Sequence, residues 1–171
     1  GILRPASGEQ VFSTTLFMDF LGDKTLLDRT TVGFLASRNA TPSIAARCRA
    51  WAESICGSES VIISGFHSPL EQELFRIFFE RRQPVVWVLG RSIYRRMEPE
   101  LLEAIDEGRL LLLSVCPGTH HSRYSAQLRN RYVAMQTHEM VFAAFDANSS
   151  LAPLHDLLLA MEKKTTVIDT L

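Results

Sequence analysis

No apolar run in this sequence comes near the roughly 20 residues that a membrane-spanning helix requires; Val85–Leu89 and Leu110–Leu113 are representative. The first residues also lack a basic stretch followed by an apolar one, so a soluble, cytoplasmic protein without membrane contact is expected. Cysteine is scarce, with Cys48, Cys56 and Cys116 as the full set. An odd number without close metal-type spacing argues against a disulfide framework and a cysteine zinc site, and leaves reduced, mostly buried thiols. Internal repeats and low-complexity tracts are absent. So is a Gly-x-Gly-x-x-Gly run after the first regular strand, which removes the dinucleotide fingerprint.

Strong net charge is also missing: the formal value is −1, which excludes a polyanion binder by bulk composition. Lysine is rare, and arginine supplies 15 of the 18 basic residues, a bias that suits bidentate phosphate contacts and stacking on bases. The charges are segregated. From Arg29 to Ala52 there are four arginines and no acid, and from Arg109 to His138 four more and again no acid. Between them, Glu98 to Glu107 holds five carboxylates.

What is present is a regular alternation. Residues 1–13 show no apolar periodicity and are expected to form a flexible N-terminal segment; residues 14–171 are expected to form a single domain, with 46% apolar content sufficient for one core. The run Thr15-Leu16-Phe17-Met18, a turn at 21–24 and Leu26-Leu27 read as a lead-in hairpin or strand beside a main sheet. Strands follow at 31–35, 61–64, 85–89, 110–114, 140–145 and 165–168. Helices fill the gaps at about 43–56, from 69 onward, 98–107, 124–137 and 150–162. Ser68 as cap, Pro69 at the first helical position and Glu71 three residues after the cap mark the second of them. Strands that are apolar throughout and alternate with helices imply an α/β fold: a Rossmann-like, doubly wound, mostly parallel sheet with helices on both faces.

Ligands of such sheets bind beyond the carboxyl ends of the strands, where strand order reverses. The turns there read Ala36-Ser37-Arg38-Asn39, Ser64-Gly65-Phe66-His67-Ser68, Gly90-Arg91-Ser92, Cys116-Pro117-Gly118-Thr119-His120-His121 and Asp146-Ala147-Asn148-Ser149-Ser150. Residues of these types cap helices, and the same turns offer N–H groups to a phosphate. Arg129 and Arg131 lie two apart on a helix and diverge by about 200°, so only one of them points into a given cleft.

These residues carry a resemblance. Leu16 to Asp23, then Thr31-Val32-Gly33-Phe34-Leu35-Ala36-Ser37-Arg38, Val61-Ile62-Ile63-Ser64-Gly65-Phe66, Val88-Leu89-Gly90, Leu112-Leu113-Ser114 with Pro117-Gly118-Thr119, and Arg129-Asn130-Arg131 follow the order and spacing of the DNA-processing protein A (DprA/Smf) family. The resemblance spans roughly residues 14–168 and covers that family's central Rossmann-like domain, not its N-terminal helical module or its winged-helix-like C-terminal segment. It implies a non-catalytic single-stranded DNA binder of natural transformation and recombination, with a recombinase as a further partner, and a homodimer. It also implies a groove with Ser37 and Arg38 on one wall, Arg129, Asn130 and Arg131 on the other, and Ser64, Gly65 and Phe66 as floor, Phe66 offering a ring to a base. Asn39, Gly118, Thr119, Ser149 and Ser150 complete the phosphate-binding set. The chain departs from the family pattern at Ala36 and Pro69, where glycine is usual, at Glu71 for aspartate, at Val115 for an acid and at Ser149 for glycine.

Two rival readings remain at this point. Phosphoribohydrolases of related fold carry a Pro-Gly-Gly-x-Gly-Thr loop and a following glutamate, whereas this chain has Pro117-Gly118-Thr119-His120-His121. Cys116 with His120 lacks an orienting third residue for nucleophilic catalysis, and adjacent His120 and His121 do not converge on one ion; no catalytic residue, cofactor or metal is expected. A nucleotide-type small-ligand sensor, or a scaffold with a degenerate pocket, is the other alternative.

Overall fold

The computed structural model of the protein describes residues 17–170. The expected flexible segment 1–13 and the residues Thr15 and Leu16 of the lead-in run lie outside the described residues. Seven strands alternate with five α-helices: β1 (Asp19–Leu21), β2 (Thr31–Leu35), α1 (Pro42–Ile55), β3 (Val61–Ser64), α2 (Pro69–Glu80), β4 (Val85–Leu89), α3 (Pro99–Asp106), β5 (Leu110–Ser114), α4 (Arg123–Gln136), β6 (Glu139–Ala143), α5 (Leu151–Ala160) and β7 (Lys164–Ile168). They form one sheet in the order β1-β5-β4-β3-β2-β6-β7. Only β1, on β5, is antiparallel; every other neighbouring pair is parallel. The sheet is the doubly wound, Rossmann-like one that the strand patterns imply.

The central strands β2, β3 and β5 are buried along their whole length, which is why they read as continuous apolar runs and not as alternating ones. Val32, Phe34 and Ile62 face α1, α2 and α3 through Cys48, Leu74, Phe78 and Ala104. Leu35, Val61, Ile63 and Phe142 face the opposite layer, where Val133 and Ala134 of α4 and Leu158 of α5 close the core. Chain order runs outward from β2 through β5, then α4 carries it back across the sheet to β6 on the other side of β2. The reversal of strand order therefore falls between β2 and β6, with α4 bridging it.

The lead-in segment differs from its expected form. The strand lies at Asp19–Leu21, after the apolar run, and Lys24–Asp28 is a 3₁₀ turn whose start is capped by the Asp23 carboxylate on the Thr25 N–H. Phe17 and Met18 are exposed instead of forming the strand, because β5 offers its edge to the residues after them. The strand expected at 140–145 ends at Ala143. Among the described residues, no helix is long and apolar enough to cross a membrane.

Candidate functional site

A cleft of about 660 Å³ opens at the reversal point. Four segments that are remote in sequence line it. The turn after β2 contributes Ala36 to Asn39, and the turn after β3 with the start of α2 contributes His67, Ser68 and Glu71. His121 and Ser122 precede α4, which adds Arg123, Arg129 and Asn130, and Ser150 and Leu151 begin α5. Parallel strands end at one edge, so their following turns converge there.

Arg129 is the innermost cation. It is only 5% exposed, and its stem crosses Gly65 so closely that a Cβ built there would stand 2.6 Å from its Cδ and Nε. Its Nε donates to Asn130 Oδ1 at 3.2 Å, while Nη1 is buried without a hydrogen-bond partner. The Trp87 indole N–H holds the Gly65 carbonyl at 3.1 Å, fixing the peptide against which the arginine lies. Gly65→Ala is expected to push the guanidinium out of this seat. Ligand affinity should fall with a small loss of stability, read by parallel binding and thermal-unfolding measurements; unchanged affinity would detach Gly65 from the site.

Beneath Arg129 lies a fully buried acid that the local sequence window conceals. Glu71 Oε2 accepts the Ala36 N–H at 2.9 Å, and Oε1 accepts the N–H groups of His67 at 2.9 Å and Ser68 at 3.2 Å. Ser68 Oγ accepts the Glu71 N–H in return, so the capping box read from the sequence is present. Burial pushes the Glu71 carboxyl up, and the three N–H bonds and the Arg129 charge pull the other way without cancelling it. Three N–H groups of the first two turns, expected to seat a phosphate, are thus already taken by an internal carboxyl group.

His67 and His121 form the rim, their rings 4.7 Å apart. Burial, then the charge of Arg129, hold His67 down to about 4. The same two causes, in the same order, lower His121. Arg38 and Arg123 are exposed at the mouth.

The structure brings together Ser37, Arg38, Asn39, Arg129, Asn130 and Ser150 around the cleft, with Gly65 against the Arg129 stem, and leaves Ser64, Phe66, Gly118, Thr119, Arg131 and Ser149 out of its lining. Phe66 is 3% exposed and packs edge-on against Phe75 at 4.9 Å; its ring is part of the core and cannot accept a base. Ser64 is buried, its Oγ taking the Phe66 N–H. Arg131 points away from Arg129, as a two-residue helical offset requires, and joins Tyr124, Leu128 and Tyr132 on the outer face of α4. Gly118 and Thr119 are exposed outside the cleft, and Ser149 starts α5 by accepting the Leu151 N–H. Cys116 is buried and its thiol is pushed up by burial, which gives a nucleophile with His120 no support. Among the described residues, no group of three or more His, Cys, Asp or Glu side chains is placed to hold a metal ion. Sequence reasoning missed Glu71 as a site residue, together with His67, His121, Ser122 and Arg123. The capping box on α2 was the available signal for the first, since a helix that starts at the switch point aims its N3 carboxylate into the crevice.

Solved structures share this arrangement of strands and helices. DNA processing protein A from Helicobacter pylori, described by its single-stranded DNA binding mode, aligns with a TM-score of 0.69 at 21% identity, over 88% of this chain and 70% of that one. The protein of the same name from Streptococcus pneumoniae aligns at 0.72 with 18% identity, over 90% of this chain and 55% of that one. The molybdenum cofactor binding protein of the phototrophic bacterium Rippkaea orientalis aligns at 0.58 with 11% identity, over 81% and 76% of the two chains. At such identities the likeness is one of fold. No curated protein sequence matches the chain. The model of the family described as DNA recombination-mediator protein A, however, matches residues 7–168. With a cationic cleft at the switch point and a family match over nearly its full length, the chain belongs to the DNA recombination-mediator protein A family.

Proposed function

We propose that this chain binds single-stranded DNA without catalysing a reaction on it, its phosphates held by Arg129 inside the cleft and by Arg38 and Arg123 at the mouth. The observation that carries the reading is the Arg129 Nη1 atom, buried without a partner at the place where this fold takes its ligands. An unpaired buried donor on a charged group is costly unless a ligand completes it, and a phosphate oxygen is the acceptor that a guanidinium fits best. Ser37, Asn39, Asn130 and Ser150 add neutral hydrogen-bonding groups around the same opening. The chain spans 70% and 55% of the two DNA processing proteins it resembles. Action in transformation or recombination, a recombinase partner, a homodimer, a cytoplasmic setting and residues 14–171 as one domain belong to the same proposal.

A titration of labelled oligonucleotide at several salt concentrations tests it. Each neutralised phosphate of a single strand contributes about −0.7 to the slope of log affinity against log salt, so three arginine contacts predict about −2. Arg38→Ala should make that slope shallower by about 0.7, because it removes one exposed phosphate contact. Absence of any retained oligonucleotide at low salt would defeat the reading.

A further inference from the structure

Within that reading of the cleft, we infer that its inner end is a seat for a phosphate monoester, the terminal phosphate of a strand or of a nucleotide, taken up together with a proton by the His67–His121 pair. The seat is built from a buried guanidinium with a free Nη1 and two imidazoles at its rim. Its charge inventory decides between ester types. Arg129 and Arg123 face it from α4, Arg38 from the turn after β2, and Glu71 from α2; the charge of Arg91, in the turn after β4, also acts on His121. Glu71, both oxygens bonded to backbone N–H groups and its field felt by Arg129, is one acid set against the three arginines that face the seat. The recess therefore holds a positive excess that a diester, with one charge, neutralises only in part.

A phosphate monoester carries a second ionisation near pH 6 and supplies up to two charges to the same guanidinium. Its oxygens also outnumber those free in a diester, so one can meet Nη1 while others meet the imidazoles. Burial, and after it these positive surroundings, hold both histidines below the ordinary imidazole range when the cleft holds no anion. A dianion reverses that field, raises the imidazole affinity for protons and gains two charge-assisted donors. Binding then consumes a proton, and the sign follows: affinity rises as pH falls from 8 toward about 6 and levels off below that, where the free ester already carries the proton the complex needs. The cleft volume of about 660 Å³ lies within the range that accommodates a nucleotide-sized ligand.

The test compares oligonucleotides of one sequence with a 5′-phosphate, a 3′-phosphate or hydroxyl ends, by fluorescence anisotropy between pH 6 and 8. Inorganic phosphate and a deoxynucleoside 5′-monophosphate serve as competitors, and the histidine C2–H resonances of the intact chain are followed by NMR. A phosphorylated end should tighten binding at least about tenfold near pH 6.5, the scale of one charge-assisted hydrogen bond, with the advantage shrinking by pH 8. Saturation with the favoured ester should move the His67 and His121 titrations to higher pH. A phosphorylated strand outbinding the free monophosphate assigns the seat to strand ends; equal affinity assigns it to nucleotides. Equal binding of all three strands with unmoved histidine titrations overturns the seat and leaves the single-strand reading intact. Monophosphate binding without any retention of hydroxyl-ended strand sustains the seat and removes the strand reading. If no strand and no monophosphate binds, both fall.

Discussion

Arg129→Ala is expected to weaken single-strand binding by about 10- to 100-fold, the loss of a charge-assisted contact worth roughly 1.5–3 kcal/mol. Among the described residues, Arg129 is the cleft cation that is both buried and incompletely bonded, so its contribution is less screened than that of exposed Arg38 or Arg123. Arg129→Lys should recover little, because an ammonium presents a point charge where the site is shaped for a planar fork. The alanine variant also strands Glu71 without its neighbouring positive charge. Some loss of stability is therefore expected, and thermal unfolding must accompany the anisotropy titration. Arg129→Met fills most of the same space over Gly65 and separates packing from charge: a folded methionine variant with wild-type affinity would remove Arg129 from the interface.

The sequence made the sheet legible because burial on both faces writes itself locally. Val85–Leu89 and Leu110–Ser114 read as continuous apolar runs at the positions the strands occupy. The helix starts were equally local: Ser68-Pro69-Leu70-Glu71 contains its whole capping device within four residues. The candidate site was only half visible, because its decisive relation joins residues from different elements. An acid-free stretch around Arg129 suggests an arginine without a carboxylate near it, yet Glu71 arrives from the other side of the switch point. Phe66 failed for a related reason. The residue after a strand-end glycine sits where the chain turns, and whether its ring faces solvent or core depends on α2, which presents Phe75 to it. Helical geometry let only one of Arg129 and Arg131 face the cleft, but which of the two required knowing that α4 lays Arg129 across Gly65.

Glu71→Ala is the second large effect, and it falls on stability. Three N–H groups, on Ala36, His67 and Ser68, depend on this carboxylate, and each buried donor left unpaired costs about 1–3 kcal/mol. Taking the low end for each, because water can enter from the cleft, gives a loss of about 3 kcal/mol, or roughly 6–12 °C in the unfolding midpoint for a chain of this size. Glu71→Gln should lose less. Its amide oxygen can keep the bonds from His67 and Ser68, while its NH₂ group meets the Ala36 N–H donor to donor. The same change acts oppositely on ligands: removing the internal anion leaves Arg129 with a larger uncompensated charge and exposes a ring of N–H donors suited to an oxyanion. Sulfate or phosphate should therefore raise the midpoint of the alanine variant more than that of the parent, since an anion that binds only the folded state stabilises it by mass action. An alanine variant that unfolds at the parent's temperature and ignores added anion would show that Glu71 does not stand in for a bound phosphate.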